Sequence, residues 1–151
     1  MHMTRYKGDE HEIRALDAFI GLLRAADKVS SAAHRELGSV GLSVSQFGVL
    51  EALYHLGPMC QRDIARKILK STGNMTMVID NLEKRGLVSR LRNENDRRFF
   101  TIQLKPEGEE MIRECFPDHA RRITGIMTIL TEEELDSLIG LCKKLVSTHS
   151  K

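Results

Sequence analysis

Two adjacent arginines, Arg97 and Arg98, end a polar stretch that contains Asn93 and Asp96. Guanidinium groups are permanently charged, and the negative potential of a narrow DNA minor groove attracts them. Asn and Asp favour tight turns, so the stretch predicts a hairpin tip that presents basic side chains. A hairpin tip that is simply solvated is the alternative.

Alternating side chains on both sides of this tip predict two strands. Leu87, Ser89 and Leu91 alternate with Val88, Arg90 and Arg92, and Phe100, Ile102 and Leu104 alternate likewise. We expect Arg90 and Arg92 to join Asp96, Arg97 and Arg98 in a DNA-binding surface.

The segment before the hairpin predicts a helix with two different faces. Its apolar stripe has helical spacing and consists of Met75, Val78, Ile79 and Leu82. The opposite face is small or polar, and Ser71 or Thr72 can cap the helix. The DNA-binding candidates here are Ser71, Thr72, Gly73, Asn74, Thr76 and Met77. Such a face suits a major groove, and a helix N-terminus binds phosphate. An ordinary amphipathic surface helix is the alternative for this segment alone.

Positive charge is concentrated in the same region. From Cys60 to Lys105 there are eleven Lys or Arg against five Asp or Glu, a net charge of +6 in a chain whose total is +2. Segregation of this kind is the expected footprint of phosphate binding.

Together these segments resemble the winged helix-turn-helix of the MarR family of bacterial transcriptional regulators. The matching stretches are Arg62-Asp63-Ile64-Ala65, Ser71 through Val88 with its ending LEKRGLV, and Asp96-Arg97-Arg98. The resemblance covers nearly the whole chain. It implies that Arg98 enters the minor groove, that Asp96 orients it, and that Asn74 and Thr76 are recognition-helix contacts. Lys105 departs from the family, which usually has a helix-capping Thr there.

Helix signals flank this region on both sides. A first helix is predicted from about Asp9 to Leu37, and Gly57-Pro58 should end a second helix that opens on a Ser43/Gln46 capping box. A third helix is predicted from about Gln61 to Leu69. Pro106 suits the first position of a later helix that reaches about Leu130 with a kink at Pro117, and Thr131 with Glu134 opens the last helix.

These signals predict a mainly α fold with a small β wing. We expect one compact domain, a winged helix-turn-helix flanked by dimerisation helices. Its parts are an N-terminal dimerisation helix (1–38), the DNA-binding region (39–105) and C-terminal dimerisation helices (106–151).

The first and last helices carry more apolar side chains than a winged helix of roughly 65 residues can cover. A second copy of the chain is the simplest partner, so we expect a homodimer. Its twofold axis would place two recognition helices on successive major grooves of double-stranded DNA and require an inverted-repeat operator. The family resemblance implies the same dimer.

Enzymatic function is not indicated. The sequence has no Gly-rich phosphate loop, no HExxH and no CxxC, and its six histidines are scattered. We expect no catalysis, no cofactor and no metal. Cys115 and His119 have the spacing of half a metal site, but such a pair is more often a packed Cys beside a surface His. A winged helix that binds an acidic protein is the alternative function, and salt-sensitive binding to duplex DNA distinguishes the two.

The resemblance also implies a signal that releases the DNA, either a small phenolic compound or an oxidant or electrophile. Candidate ligand-lining residues are Phe19, Tyr54, His55, Met111, Cys115 and Phe116, each of which also suits an ordinary core. Cys60 is the redox candidate, because a helix N-terminus and Arg62 favour a thiolate. A small buried residue in place of a Ser or Thr cap is the alternative.

The chain has neither a long apolar run nor the apolar stretch of a signal peptide, so we expect a cytoplasmic protein without a membrane partner. Three widely spaced cysteines, Cys60, Cys115 and Cys142, fit a reducing compartment.

Overall fold

The computed structural model describes residues 2–68 and 72–148, without the side chain of residue 72. The helices are α1 (Glu10–Ala33), α2 (Val44–Leu56), α3 (Gln61–Lys67), α4 (Thr72–Lys84), α5 (Pro106–Met127) and α6 (Glu132–Thr148). The strands are β1 (Met59–Cys60), β2 (Val88–Arg92) and β3 (Phe100–Leu104), and a 3-10 helix spans Leu37–Val40. The predicted fold class, mainly α with a small β wing, is confirmed. Within these ranges no helix has the length and apolar character needed to cross a membrane.

Both predicted capping boxes are present. The Ser43 hydroxyl accepts from the Gln46 backbone N–H at 3.1 Å, and the Ser43 N–H donates to the Gln46 side chain at 2.9 Å. The Thr131 hydroxyl likewise accepts from the Glu134 N–H at 3.2 Å, and the Thr131 N–H donates to the Glu134 side chain at 2.9 Å. These bonds satisfy N–H groups that have no partner inside a helix, which fixes where α2 and α6 begin.

Some helix limits differ from the prediction. The first helix ends at Ala33, because Leu37 is buried in the core and starts the 3-10 helix that leads to Gly41. Gly41 has a positive φ of 72°, which ends that turn. The third helix ends at Lys67, and the predicted limit at Leu69 lies outside the described residues.

The helix that opens at Pro106 ends at Met127 instead of near Leu130. The residues after Met127 form the connection to the Thr131 capping box. Pro117 lies inside α5 without ending it, and the kink there stays a prediction.

The wing is a three-stranded antiparallel sheet in the order β1-β3-β2, whereas the sequence predicted only the β2–β3 hairpin. The hairpin pairs Val88 with Leu104 and Arg92 with Phe100. The additional strand pairs Met59 with Ile102 and Cys60 with Thr101. A two-residue strand has no detectable alternation, so only its distant partner reveals it.

The residues from His34 to His119 form one compact unit around a continuous apolar core. Helices α2, α3 and α4, the sheet and the first part of α5 all contribute to it. Its largest side chains that are fully buried are Phe47, Leu50, Ile64, Met75, Ile79, Leu82, Ile102 and Ile112. This unit holds α4 and the wing on one framework.

The residues before His34 and those after His119 form the other unit. The unit limits thus fall after 33 and 119, whereas the predicted divisions follow 38 and 105. The second difference arises because α5 contributes Ile112 to the core of the 34–119 unit. Helix α6 has no buried residue, and α1 buries only Ala33.

Gly108 is the most constrained glycine of α5. A Cβ at this position would overlap the carbonyl oxygen of Leu87, and that oxygen also accepts from the Lys105 N–H at 3.0 Å. Because the obstacle is backbone, no side-chain rotation can relieve the clash. The close approach brings the start of α5 against the chain that enters β2.

We therefore expect Gly108→Ala to lower the free energy of unfolding by about 2 kcal/mol or more, as measured by urea unfolding followed by circular dichroism. Gly125→Ala in the same helix is the matched control, since a Cβ there meets no atom within 4 Å. The control should be neutral or stabilising by up to about 1 kcal/mol through helix propensity. Equal stability of the two variants would contradict the close contact.

Candidate nucleic-acid interface

Helix α4 has the two faces that the sequence predicted. Met75, Ile79 and Leu82 are fully buried in the core. Asn74, Thr76 and Met77 are exposed on the other side, and 66% of the Met77 surface is accessible. An apolar thioether beside an amide and a hydroxyl suits base edges, because thymine presents a methyl group and the other bases present polar atoms.

The beginning of α4 is described only in part. The helix begins at Thr72. The predicted Ser71 lies outside the described residues, as does the side chain of Thr72. Phosphate binding by Ser71, Thr72 and Gly73 stays a prediction.

A Schellman turn directs the chain from α4 into β2. The Gly86 N–H donates to the Glu83 carbonyl at 3.0 Å, the Leu87 N–H donates to the Leu82 carbonyl at 3.0 Å, and Gly86 has a φ of 72°. Leu82 and Leu87 are both buried, which anchors the turn. The wing therefore begins at a fixed place relative to α4.

Hydrogen bonds order the wing tip. The Asn93 side chain accepts from the Asn95 N–H at 2.9 Å, and the Asn93 N–H donates to the Phe99 carbonyl at 3.0 Å. The Asp96 carboxylate accepts from the backbone N–H, Nε and Nη2 of Arg98 at 3.1, 3.1 and 3.0 Å. Arg98 thus forms a bidentate pair with Asp96 while 84% of its side chain stays exposed.

This pairing shifts the pKa values of both side chains. The hydrogen bonds from the Arg98 side chain and backbone hold the pKa of Asp96 below its ordinary value. The same carboxylate raises the pKa of Arg98. Because a charged carboxylate orients a charged guanidinium, Arg98 presents a fixed cation at the wing tip.

The other predicted arginines occupy different surroundings. Arg97 is exposed at the tip. Arg92 is exposed on β2, with its guanidinium carbon 5.9 Å from the centre of the Phe100 ring. Arg90 is mostly buried and forms ion pairs with Asp80 at 2.6 Å and Glu83 at 3.2 Å.

Two side chains of α3 support the surface, and the sequence did not identify either role. Gln61 Nε2 donates to the Thr76 hydroxyl at 2.6 Å. The guanidinium carbon of Arg62 lies 5.8 Å from the centre of the Phe99 ring. Nothing local in the sequence links Arg62 to the wing, so this contact was not predicted.

The sequence of this chain is similar to those of known proteins. The MarR family model matches residues 42–99. The chain is 33% identical over 132 residues to the HTH-type transcriptional regulator MhqR of Bacillus subtilis (strain 168), covering 87% of this chain and 91% of the relative. It is 35% identical over 150 residues to YkoM of the same strain, an uncharacterised HTH-type transcriptional regulator, covering 99% and 97%.

The chain belongs to the MarR family. A solved structure, NadR in complex with 4-hydroxyphenylacetate, superposes with a TM-score of 0.74 at 25% identity, covering 94% of this chain and 96% of NadR. This MarR-family protein is therefore a DNA-binding transcriptional regulator with a winged helix. Its relatives are regulators and not enzymes.

The structure groups some of the predicted ligand residues of this MarR-family chain. Tyr54 and His55 have ring centres 5.1 Å apart, and His55 lies 4.5 Å from Phe116. Met111, Cys115 and Phe116 are half-buried against the core, on α5. Phe19 belongs to the other unit, where it lines an apolar groove of about 500 Å³ between α1 and α6.

The three cysteines are free thiols in different places. Cys60 is half-buried at the predicted N-cap of α3, where its side chain makes no capping hydrogen bond. Burial raises the pKa of Cys115, and the neighbouring Asp118 and Glu114 carboxylates raise it further. Cys142 lines the α1–α6 groove.

Groups of three or more His, Cys, Asp or Glu side chains that could hold a metal ion do not occur among the described residues. His119, which the sequence paired with Cys115, is buried. Its ring centre lies 4.4 Å from that of Phe47 and 5.9 Å from that of Phe116. His119 is thus an aromatic core residue in this family member, not the surface His of the alternative.

The Asp96 pairing makes a pH prediction. The carboxyl pKa of Asp96 should lie below its ordinary value of 3.8, as a carbon-detected NMR titration can measure. A depressed pKa means that the pair stabilises the wing above the unfolded pKa, and that this stabilisation is lost as pH falls through the folded pKa. The wing should therefore be insensitive to pH near neutrality. Arg98→Ala should return the Asp96 pKa toward 3.8, and an unchanged value would show that Arg98 is not its partner.

Proposed function

We propose that this MarR-family chain is a homodimeric repressor that binds an inverted-repeat operator and is released by a small phenolic ligand or by an oxidant or electrophile. The exposed face of α4, together with an Arg98 that Asp96 holds in place, carries the proposal. Contacts made by helix α4 suit the major groove, and a fixed guanidinium at a hairpin tip suits the adjacent minor groove. Such a regulator acts in the bacterial cytoplasm, where its DNA lies.

The contact residues divide by role. Asn74, Thr76 and Met77 are proposed to contact base edges, and Arg98 to enter the minor groove. Arg97 and Arg92 supply exposed charge for phosphates, as the net +6 of the region from 60 to 105 favours. Phosphates contacted by several such side chains make binding strongly dependent on salt.

Arg98→Ala should weaken operator binding roughly fivefold to a hundredfold, because the minor-groove contact is lost. Fluorescence anisotropy with a duplex selected from a genomic library measures this. Wild-type affinity should also fall steeply with salt concentration. Glu94→Gln, a substitution in the same turn, is the control that keeps Arg98 and should not weaken binding.

DNA binding that does not depend on salt concentration, or an Arg98→Ala protein with unchanged affinity, would contradict the proposal. The alternative, a winged helix that binds an acidic protein, would then become the better description. The functions of the genes beside the selected operator should indicate the signal to which the regulator responds.

The homodimer is proposed from the apolar surface of α1 and α6. The groove between them is lined by Ala15, Ala18, Phe19, Gly21, Leu22, Ala25, Leu138, Leu141, Cys142 and Leu145. Leu22 is 42% exposed, Leu141 61% and Val146 69%. Soluble monomers rarely expose so continuous an apolar surface. A second copy that covers it would bring two DNA-binding units into one assembly.

Leu141→Lys should shift the protein from dimer toward monomer or aggregate in analytical ultracentrifugation, because it places a charge in the proposed interface. Ser147→Lys, at an exposed position on the opposite face of α6, adds the same charge as a control and should have the smaller effect. A wild-type chain that sediments as a stable monomer at micromolar concentration would contradict the dimer.

The phenolic signal is supported by two observations. Tyr54, His55 and Phe116 form a partly exposed group of rings, and NadR, a structural relative, is known in complex with 4-hydroxyphenylacetate. Cys60 stays the candidate for oxidant sensing. The anisotropy assay with Cys60→Ser protein under oxidant distinguishes these signals.

A further inference from the structure

Arg90 connects the wing to helix α4 through several contacts. Its Nη2 lies 2.6 Å from Asp80 Oδ1, and its Nη1 lies 3.2 Å from Glu83 Oε1. The same guanidinium donates to the Thr76 carbonyl at 3.4 Å, and the Arg90 backbone N–H donates to Glu83 Oε2 at 3.2 Å. One residue of β2 therefore contacts three residues of α4, each about one helical turn from the next.

Burial separates Arg90 from the arginines of the wing tip. Only 19% of the Arg90 side chain is exposed, against 84% for Arg98. Two carboxylates already neutralise its charge, and moving it to a phosphate would leave both of them without this cation. These surroundings favour a structural attachment over a direct contact with DNA.

The attachment lies close to the wing tip. Arg90 precedes the end of β2 at Arg92 by two residues, and the tip with Asp96 and Arg98 follows directly. On the helix, Asp80 and Glu83 are three residues apart and share one face. The two carboxylates thus attach β2 to α4 at two points.

We propose that Arg90 is a positioning residue that holds the wing at the separation from α4 needed for both elements to contact DNA at once. This inference rests on the proposed function, since it assigns a role within the same surface. A guanidinium suits the task because its planar fork binds two acceptors in fixed directions, which an ammonium group does not.

The decisive variant is Asp80→Asn combined with Glu83→Gln. It removes two negative charges from the DNA-binding unit, which by charge alone should tighten binding to any duplex. A loosened wing has the opposite effect on the operator. We expect operator affinity to fall roughly tenfold while affinity for a random duplex of equal length stays constant or rises, both measured by anisotropy.

The matched control is Glu110→Gln combined with Glu114→Gln, which changes the charge equally at exposed positions of α5. Its operator affinity should equal or exceed that of the wild type. A double-mutant cycle adds a second readout: in an Arg98→Ala background the Asp80/Glu83 variant should lose little further affinity, because the wing contact is already absent. Thermal unfolding of each protein checks that the fold is intact.

Arg90→Lys keeps the charge and provides a second route if the double variant folds poorly. It should also weaken operator binding, because lysine cannot hold both carboxylates and the Thr76 carbonyl together. Operator affinity like that of the control in both variants, or an equal loss with and without Arg98, would overturn the positioning role. An Arg98→Ala protein with normal operator affinity would instead overturn the proposed function itself.

Discussion

Burial of one face of α4 is the interaction on which the DNA-binding surface depends. Met75, Ile79 and Leu82 are fully buried, and each such side chain contributes about 1.5–3 kcal/mol by leaving water. Because these residues recur with the helical period, rotation of α4 about its axis would expose them. Asn74, Thr76 and Met77 consequently face outward. The core thus determines which residues are available to bases.

The same core also positions the wing. Leu82 and Leu87 anchor the turn after α4, and β3 contributes the buried Ile102 between its two neighbouring strands. Gly108 lets α5 approach the backbone at Leu87. An exposed hairpin of this size would be marginal alone, and here both its ends are attached to buried residues. The apolar contacts thus position the wing, and the polar contacts make smaller adjustments to it.

Local signals made much of this architecture predictable from the sequence. The capping boxes at Ser43 and Thr131 and the apolar stripe of α4 depend on residues a few positions apart, and the structure has them all. The strand Met59–Cys60 was not predictable, because it exists only through pairing with Ile102 and Thr101.

The candidate site likewise contains contacts that the sequence predicted and contacts that it did not. The pairing of Asp96 with Arg98 lies within one turn, and the family resemblance implied it. The attachment of Arg90 to Asp80 and Glu83 crosses a turn, so composition and alternation alone suggested a DNA contact for Arg90. Phe19 and Tyr54, which the family resemblance grouped as ligand-lining candidates, belong to different compact units. Such groupings depend on tertiary structure.

The carboxylate of Glu83 has an effect beyond the wing itself. In the order β1-β3-β2 the strand β2 is an edge, and an edge N–H offers a hydrogen bond to any strand of another molecule. Glu83 Oε2 occupies the N–H of Arg90 in the middle of that edge, and the charged side chains around it repel an incoming chain. A strand of another molecule would therefore find the hydrogen-bond donor at the centre of this edge already occupied.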